Sequence, residues 1–235
     1  MKVSYLIFVL ASMMLFPAGI SDGLVSTYVQ WNIGQGSWGT YIETQSCLHI
    51  DMGGDFAPSS SLLQRCRNKK NFVILTHYDR DHINLQYWFR RYITKLAKAP
   101  RPLSIVIFQP SRNGNKSENS KSLVIFYHKT LNPGDSTKKE ELLWSYSHQI
   151  KNAEVLVLGH HGSHTSTSVN LLQQLKSLKW SISSARKSKY NHPHQEVVKR
   201  LKQLGIPVLK TESWGNIYYN LKGRYSISKS LATGS

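Results

Sequence analysis

The sequence predicts a single α/β domain built in layers. Three observations lead there. The chain has 235 residues with 40% hydrophobic content, enough for one sizeable core. Short apolar runs such as Phe72-Val73-Ile74-Leu75 and Val155-Leu156-Val157-Leu158 read as buried strands. Between them lie segments with helical spacing, clearest at Val197, Val198, Leu201 and Leu204. No internal repeat or long linker divides the chain.

Taken in order, residues 1–21 read as a secretory signal. Lys2 precedes a mostly apolar run over 3–16, and the small residues of Pro17-Ala18-Gly19-Ile20-Ser21 follow where cleavage would fall. That run is short for a membrane span, and no later segment is apolar enough to be one. The expectation is therefore a mature domain over 22–235 that is periplasmic or secreted, with no stable membrane insertion after cleavage. Strands are expected at 24–33, 41–43 and 48–51, with Gly34, Gly36 and Gly39 punctuating the turn after the first. A short helix over 59–66, the strand at 72–75, a helix over 85–96 and strands at 105–108 and 123–127 follow. The polar stretch 111–122 reads as an exposed loop. Helices are expected at 138–150, 168–178 and 193–204, the last with Pro193 in its first turn and Gly205 at its end. A strand at 155–158 and further strands near Val208, at 217–220 and at 225–227 complete the reading.

Lys and Arg exceed Asp and Glu by 30 − 13 = 17 charges. An excess of this size favours a polyanionic partner, nucleic acid first and an anionic membrane surface second. The two cysteines, Cys47 and Cys66, can pair in an oxidising compartment or remain buried thiols, and sequence leaves both open. Two cysteines do not make a closed thiolate zinc site.

The chemistry concentrates in histidines. Of the 10 His, seven fall in three clusters: His77 and His82; His160, His161 and His164; His192 and His194. The first cluster, His77-Tyr78-Asp79-Arg80-Asp81-His82, packs four potential ligands just past a strand end. Helix capping would account for one of its aspartates, but not for two histidines and two aspartates together. Mixed imidazole and carboxylate donors suit Zn²⁺ or Mn²⁺, one or two ions. If there are two, a carboxylate can bridge them, and Asp135 in Asn132-Pro133-Gly134-Asp135 is the candidate. At least one of His160 and His161 is expected as a ligand, and spacing does not choose between them. His164 reads as a surface or supporting residue. His192-Pro193-His194 opens the clearest helix, where free N–H groups favour phosphate, so His192 is a candidate to contact a phosphate oxygen or protonate a leaving group. Lys187, Lys189, Tyr190 and His194 are candidate substrate-binding residues around that corner.

The ordered set His77-x-Asp79-x-Asp81-His82, Gly134-Asp135, His160-His161-Gly162-Ser163 and Tyr190-Asn191-His192-Pro193-His194 resembles the metallo-β-lactamase-like domain of the ComEC DNA-uptake competence family. Asn32-Ile33-Gly34-Gln35-Gly36 and Asp51-Met52-Gly53-Gly54 resemble that family's opening motifs. The resemblance implies a four-layer αββα sandwich of the metallo-β-lactamase type, with metals at one edge of the paired sheets and nuclease-type hydrolysis of DNA. It implies His77, Asp79, Asp81, His82, Asp135 and one of His160 and His161 as ligands, with Asp81 and His192 at the chemistry. The sequence departs from the family at Ser37, where an acidic residue is usual, and at Ile83-Asn84-Leu85, which replaces a glycine-containing segment. No histidine stands between His82 and Asp135 except His128, at the end of an apparent strand. The expected function is a metal-dependent DNase with DNA as substrate. The alternatives are a metal-dependent hydrolase of a small ester, lactam or phosphodiester, and a DNA-binding module with a vestigial site.

Overall fold

The computed structural model describes residues 26–58, 61–97, 105–110, 117–221 and 228–229. The expected signal segment, the start of the first strand, the first half of the 111–122 loop and the 225–227 strand lie outside these residues. Two six-stranded sheets form the body. One contains β1 (Thr27–Gln30), β2 (Ser37–Ile42), β3 (Ser46–Gly53), β4 (Lys70–Ile74) and, from late in the chain, β11 (Ile217–Asn220) and β12 (Ser228–Lys229), in the order β12-β11-β1-β2-β3-β4. The other runs in sequence order from β5 (Val106–Phe108) through β6 (Val124–Tyr127), β7 (Thr130–Asn132), β8 (Val155–Val157) and β9 (Trp180–Ser183) to β10 (Val208–Lys210).

Three apolar clusters fix the layering. Tyr28, Tyr41, Ile50, Ile125, Val155 and Ile182 fill the space between the sheets. Val29, Trp31, Trp38 and Met52, on the opposite face of the first sheet, meet Leu63 of α1 (Ser61–Gln64) and, beyond α2 (Arg80–Ile83), Phe89 of α3 (Gln86–Tyr92). Leu131, Leu156 and Leu158 of the second sheet's outer face meet Trp144 of α4 (Lys138–Trp144), Leu171 and Leu172 of α5 (Val169–Gln174) and, past α6 (Lys187–Tyr190), Val197 and Leu201 of α7 (Gln195–Gln203). α8 (Thr211–Trp214) leads into β11. The layers are therefore helix, sheet, sheet, helix, the αββα sandwich that was expected.

Several bounds differ from the expectation. β4 is not fully buried: it ends its sheet, so Phe72 and Val73 are half-buried. The 85–96 helix stops at Tyr92, because Ile93 turns extended and Asn71 and Leu96 form a β-bridge beyond it. The 138–150 helix ends at Trp144 and gives way to a 3₁₀ turn, His148–Asn152. Pro193 lies outside α7, whose N-cap is His194. Gly39 sits inside β2 at a bulge rather than in the preceding turn. β7, β9 and α6 had no counterpart in the sequence reading. Cys47 and Cys66 form a disulfide between β3 and the turn after α1, with Cα atoms 5.8 Å apart.

Candidate metal centre

The site lies where the carboxyl ends of parallel strands from both sheets meet. β3 runs parallel to β4, and β7, β8 and β9 run parallel to one another. Such ends release the chain into loops whose side chains point at one crevice. β3 delivers Asp51, the β4 exit delivers His77 to His82, the β7 exit delivers Asp135, and the β8 exit delivers His160 and His161.

Two tight approaches close these loops on each other. A Cβ on Gly53 would lie 2.3 Å from the carbonyl carbon of Asp81, so only glycine lets the start of α2 settle against β3. Gly134 adopts φ +55°, and a Cβ there would meet Thr76 at 2.8 Å. His160 and His161 themselves sit at φ 49° and 56°, strained for residues with side chains, and this turn aims both rings at Asp135.

Asp135 is the hub. Its Oδ1 lies 3.1 Å from His82 Nε2, and its Oδ2 lies 3.7 Å from His77 Nε2, 3.6 Å from His160 Nε2 and 3.9 Å from His161 Nε2. Asp79 stands 3.4 Å from His77 Nε2, and Asp81 3.2 Å from His161 Nε2. Two donor triads with mutually close ligand atoms result: His77, His82 and Asp135; and Asp81, His82 and His161.

The outer contacts fix which ring nitrogen faces inward. Asp51, fully buried, takes the N–H and hydroxyl of Thr76 on Oδ1 at 2.7 and 3.0 Å. Its Oδ2 accepts from His82 Nδ1 at 2.8 Å. The Ser184 carbonyl accepts from His161 Nδ1 at 2.9 Å. Both Nε2 atoms are thereby turned to the centre, only 3.3 Å apart. Orienting a ligand histidine through its other nitrogen is how a metal site is held in register.

The donor set fits a divalent cation. His77 Nε2 is buried without a hydrogen-bond partner while two carboxylates face it. Two inward lone pairs at 3.3 Å and a buried carboxylate repel unless positive charge sits among them. The titrations say the same. Burial pulls His82 down, but Asp135 and Asp51 outweigh it and hold the imidazole well above its ordinary value. His161 is raised likewise, by Asp135 and Asp81 against burial. Burial pushes Asp135 and Asp81 up, yet His82 and His161 overcome it and keep both carboxyls ionised. His77 and His160 go the other way, lowered chiefly by burial.

The remaining sequence candidates spread around this centre. His192 follows α6, with its ring 6.0 Å from that of His160 and its Nδ1 buried without a partner. Burial, then His161 and His160, bring its pKa down to about 4. Tyr190 is exposed with its ring 6.0 Å from His192, and with Lys189 and Asp81 it lines a polar cavity of about 430 Å³. Lys189 also faces Asp55 at 3.5 Å. Lys187 is exposed and its backbone N–H donates to Glu212. His194 is occupied as the helix cap, accepting from Glu196 N–H, with its ring 5.1 Å from exposed His164. His128 is not here: it pairs with Glu43 at 3.3 Å, beside Tyr127. Two residues that matter, Asp51 and Thr76, carried no role in the sequence reading. The signal that could have found Asp51 is a lone aspartate closing a strand immediately before Met52-Gly53-Gly54.

Layers, strand ends and motif order together define a domain of the metallo-β-lactamase type carrying a His/Asp cluster able to bind metal. The chain is homologous to proteins of the ComEC family. It is 34% identical over 129 residues to ComE operon protein 3 of Bacillus subtilis, 33% over 122 residues to Recombination protein 2 of Haemophilus influenzae, and 35% over 119 residues to Competence protein ComA of Neisseria gonorrhoeae. The matches cover 53%, 50% and 48% of this chain, but only 16%, 15% and 17% of those proteins. No family model matches. Among solved structures, the metallo-β-lactamase fold protein YhfI of Bacillus subtilis aligns over 83% of this chain and 99% of its own, at 12% identity and a TM-score of 0.46.

Proposed function

We propose that this protein is a metal-dependent nuclease that hydrolyses DNA phosphodiester bonds outside the cytoplasm. The observation that carries the reading is the pair of donor triads that share His82 beside the buried Asp135, in a chain of net charge +17. His77, Asp79, Asp135 and His160 would hold one ion, and Asp81, His82, His161 and Asp135 a second, as Zn²⁺ or Mn²⁺. His160 then takes the place left open by the lack of a histidine between His82 and Asp135 other than His128. Bound there, a divalent ion supplies Lewis acidity and acidifies water.

The chain's own groups do the rest. Asp81 stays ionised and acts as a ligand, not an acid. His192, with a pKa near 4, is neutral at pH 7. It therefore offers a phosphate oxygen an uncharged N–H, and donating a full proton to the leaving oxygen is the weaker of its two expected roles. Lys189 and Tyr190, at the mouth, receive the substrate backbone. The export part of the reading is supported by the Cys47–Cys66 disulfide, a bond that persists in oxidising compartments. Among the described residues no helix is long and apolar enough to cross a membrane.

The test is cleavage of plasmid and linear DNA with Mn²⁺, Zn²⁺ or chelator. The expected result is activity abolished by chelator, restored by metal, and absent from His77→Ala/Asp81→Ala. Full activity of that variant, or none in the wild type with any metal, sinks the proposal. Brisk turnover of bis(p-nitrophenyl) phosphate or a lactam without DNA cleavage would transfer the site to small substrates.

A further inference from the structure

We propose that the solvent face of the helical segment 80–92 is a second DNA-binding surface, which carries the polyanion away from the reaction centre on the side opposite Lys189. This rests on the nuclease reading of the site. α2 and α3 follow one another with a single interruption, where Leu85 N–H donates to Met52 O instead of back along the helix; Asn84 and Leu85 keep right-handed helical backbone, Asn84 N–H donates to Arg80 O, and Phe89 N–H donates to Leu85 O. At 100° per residue, Arg80, Asn84, Tyr87 and Arg91 fall on one stripe.

That stripe begins at the metal cluster. Arg80 is the neighbour of Asp81 and, with Asn84, lines the same polar cavity as Lys189 and Tyr190. Asn84 is anchored, bonding both the N–H and the carbonyl of Gly54 at 2.8 Å, so the stripe is held at a fixed distance from the centre. Tyr87 is 73% exposed, which no packing role explains, and the Arg91 guanidinium stands 5.7 Å from its ring. An aromatic face beside an arginine is how sequence-tolerant nucleic-acid surfaces combine stacking with charge. From Arg80 to Arg91 the stripe extends roughly 16 Å, the length of about five phosphate steps of one strand.

The sequence supports a polyanion independently. From His82 to Ser117 the chain has seven Lys or Arg and no Asp or Glu. Of these, Arg90, Arg91 and Lys95 are described and exposed, on or just after α3.

The experiment measures binding of a 30-base-pair duplex by fluorescence anisotropy in chelator, across a salt series, so no cleavage is needed. Arg80→Ala/Arg91→Ala is compared with Lys199→Ala/Lys202→Ala, two exposed lysines of α7. Each double variant lowers the net charge equally, 17 − 2 = 15, so long-range attraction is matched. Removing two phosphate contacts should reduce the slope of log K against log salt by about 1.8 in the stripe variant, and by much less in the control. An unchanged stripe slope, or equal loss in both variants, overturns the proposal. So does stripe-dependent binding to phosphatidylglycerol vesicles with the DNA slope intact, which would make the surface a lipid contact. A protein that binds through the stripe yet never cuts DNA defeats only the nuclease reading. One that cuts DNA with its slope untouched defeats only this one.

Discussion

Asp51 touches no position where substrate would react, yet it sets the direction of His82. One carboxylate oxygen takes Thr76 and the other takes the His82 Nδ1–H, leaving Nε2 for the centre. Asp51→Asn keeps the shape but can present an amide N–H to the ring, which favours the wrong tautomer. Metal affinity should fall by about 10–100-fold, the usual cost of losing such an outer partner. Competition with a chromogenic chelator measures it, and affinity within twofold of wild type would refute the role. His49 offers a separate test, away from the ligands. It accepts on Nδ1 from Trp38 and Thr40 and donates from Nε2 to Asn71, so it is buried neutral. Burial lowers its pKa from 6.5 to about 4. Between those values the unfolded chain holds a proton that the folded chain does not, so stability is complete above pH 6.5 and is lost as pH falls toward 4. The loss amounts to about 3 kcal/mol. Denaturant melts of wild type and His49→Gln should converge over that window, and parallel curves would show that His49 does not titrate there. His49 was invisible as a structural residue in the sequence, because a lone histidine on an alternating strand does not reveal that Trp38, Thr40 and Asn71 will surround it.

At the scale of elements, the crevice depends on how closely α2 approaches β3. Gly53→Ala places a methyl group 2.3 Å from backbone of Asp81, and backbone cannot rotate away as a side chain can. The expected cost is about 1–3 kcal/mol in stability, with weaker metal binding because His82 moves with α2. A variant with unchanged melting and unchanged affinity would show that the approach is slack. The elements that sequence made legible share one property: their signal is local. The apolar runs of β4 and β8 and the stripe of α7 announce themselves. So do the ligand clusters, because strand ends place neighbours in sequence at one point. β9, Trp-Ser-Ile-Ser, does not. Its serines are buried only because Ser181 and Ser183 reach the carbonyls of Pro207 and His161, partners 26 and 22 residues away. The choice between His160 and His161 was equally unreadable. Two consecutive left-handed residues turn both rings to Asp135, an arrangement that no local sequence pattern announces.

Across the whole molecule, the Cys47–Cys66 bond ties a central strand of one sheet to the outer helical layer, closing a loop of 19 residues. Sequence left pairing and buried thiols equally open, since only the fold brings β3 and the turn after α1 together. The chain-entropy account assigns such a loop about 3 kcal/mol, mostly by restricting the unfolded chain. Both sulfurs are buried within the cluster of Trp31, Trp38 and Leu63, so reductant reaches them only as the layer opens, and the comparison must be made at equilibrium. For a domain of this size, 1 kcal/mol moves Tm by roughly 2–4 °C, so reduction should lower Tm by about 6–12 °C. The candidate metal ligands lie on loops outside this tie, so the reduced protein, once refolded at low temperature, should bind metal as tightly as the oxidised protein does. Titration of the denatured, unreduced protein should find no free thiol and the reduced protein two, matching its two cysteines. Two free thiols before reduction, or a Tm indifferent to reductant, would remove both the bond and the best structural support for an oxidising compartment. The proposed export would then rest on the signal-like segment 1–21 alone.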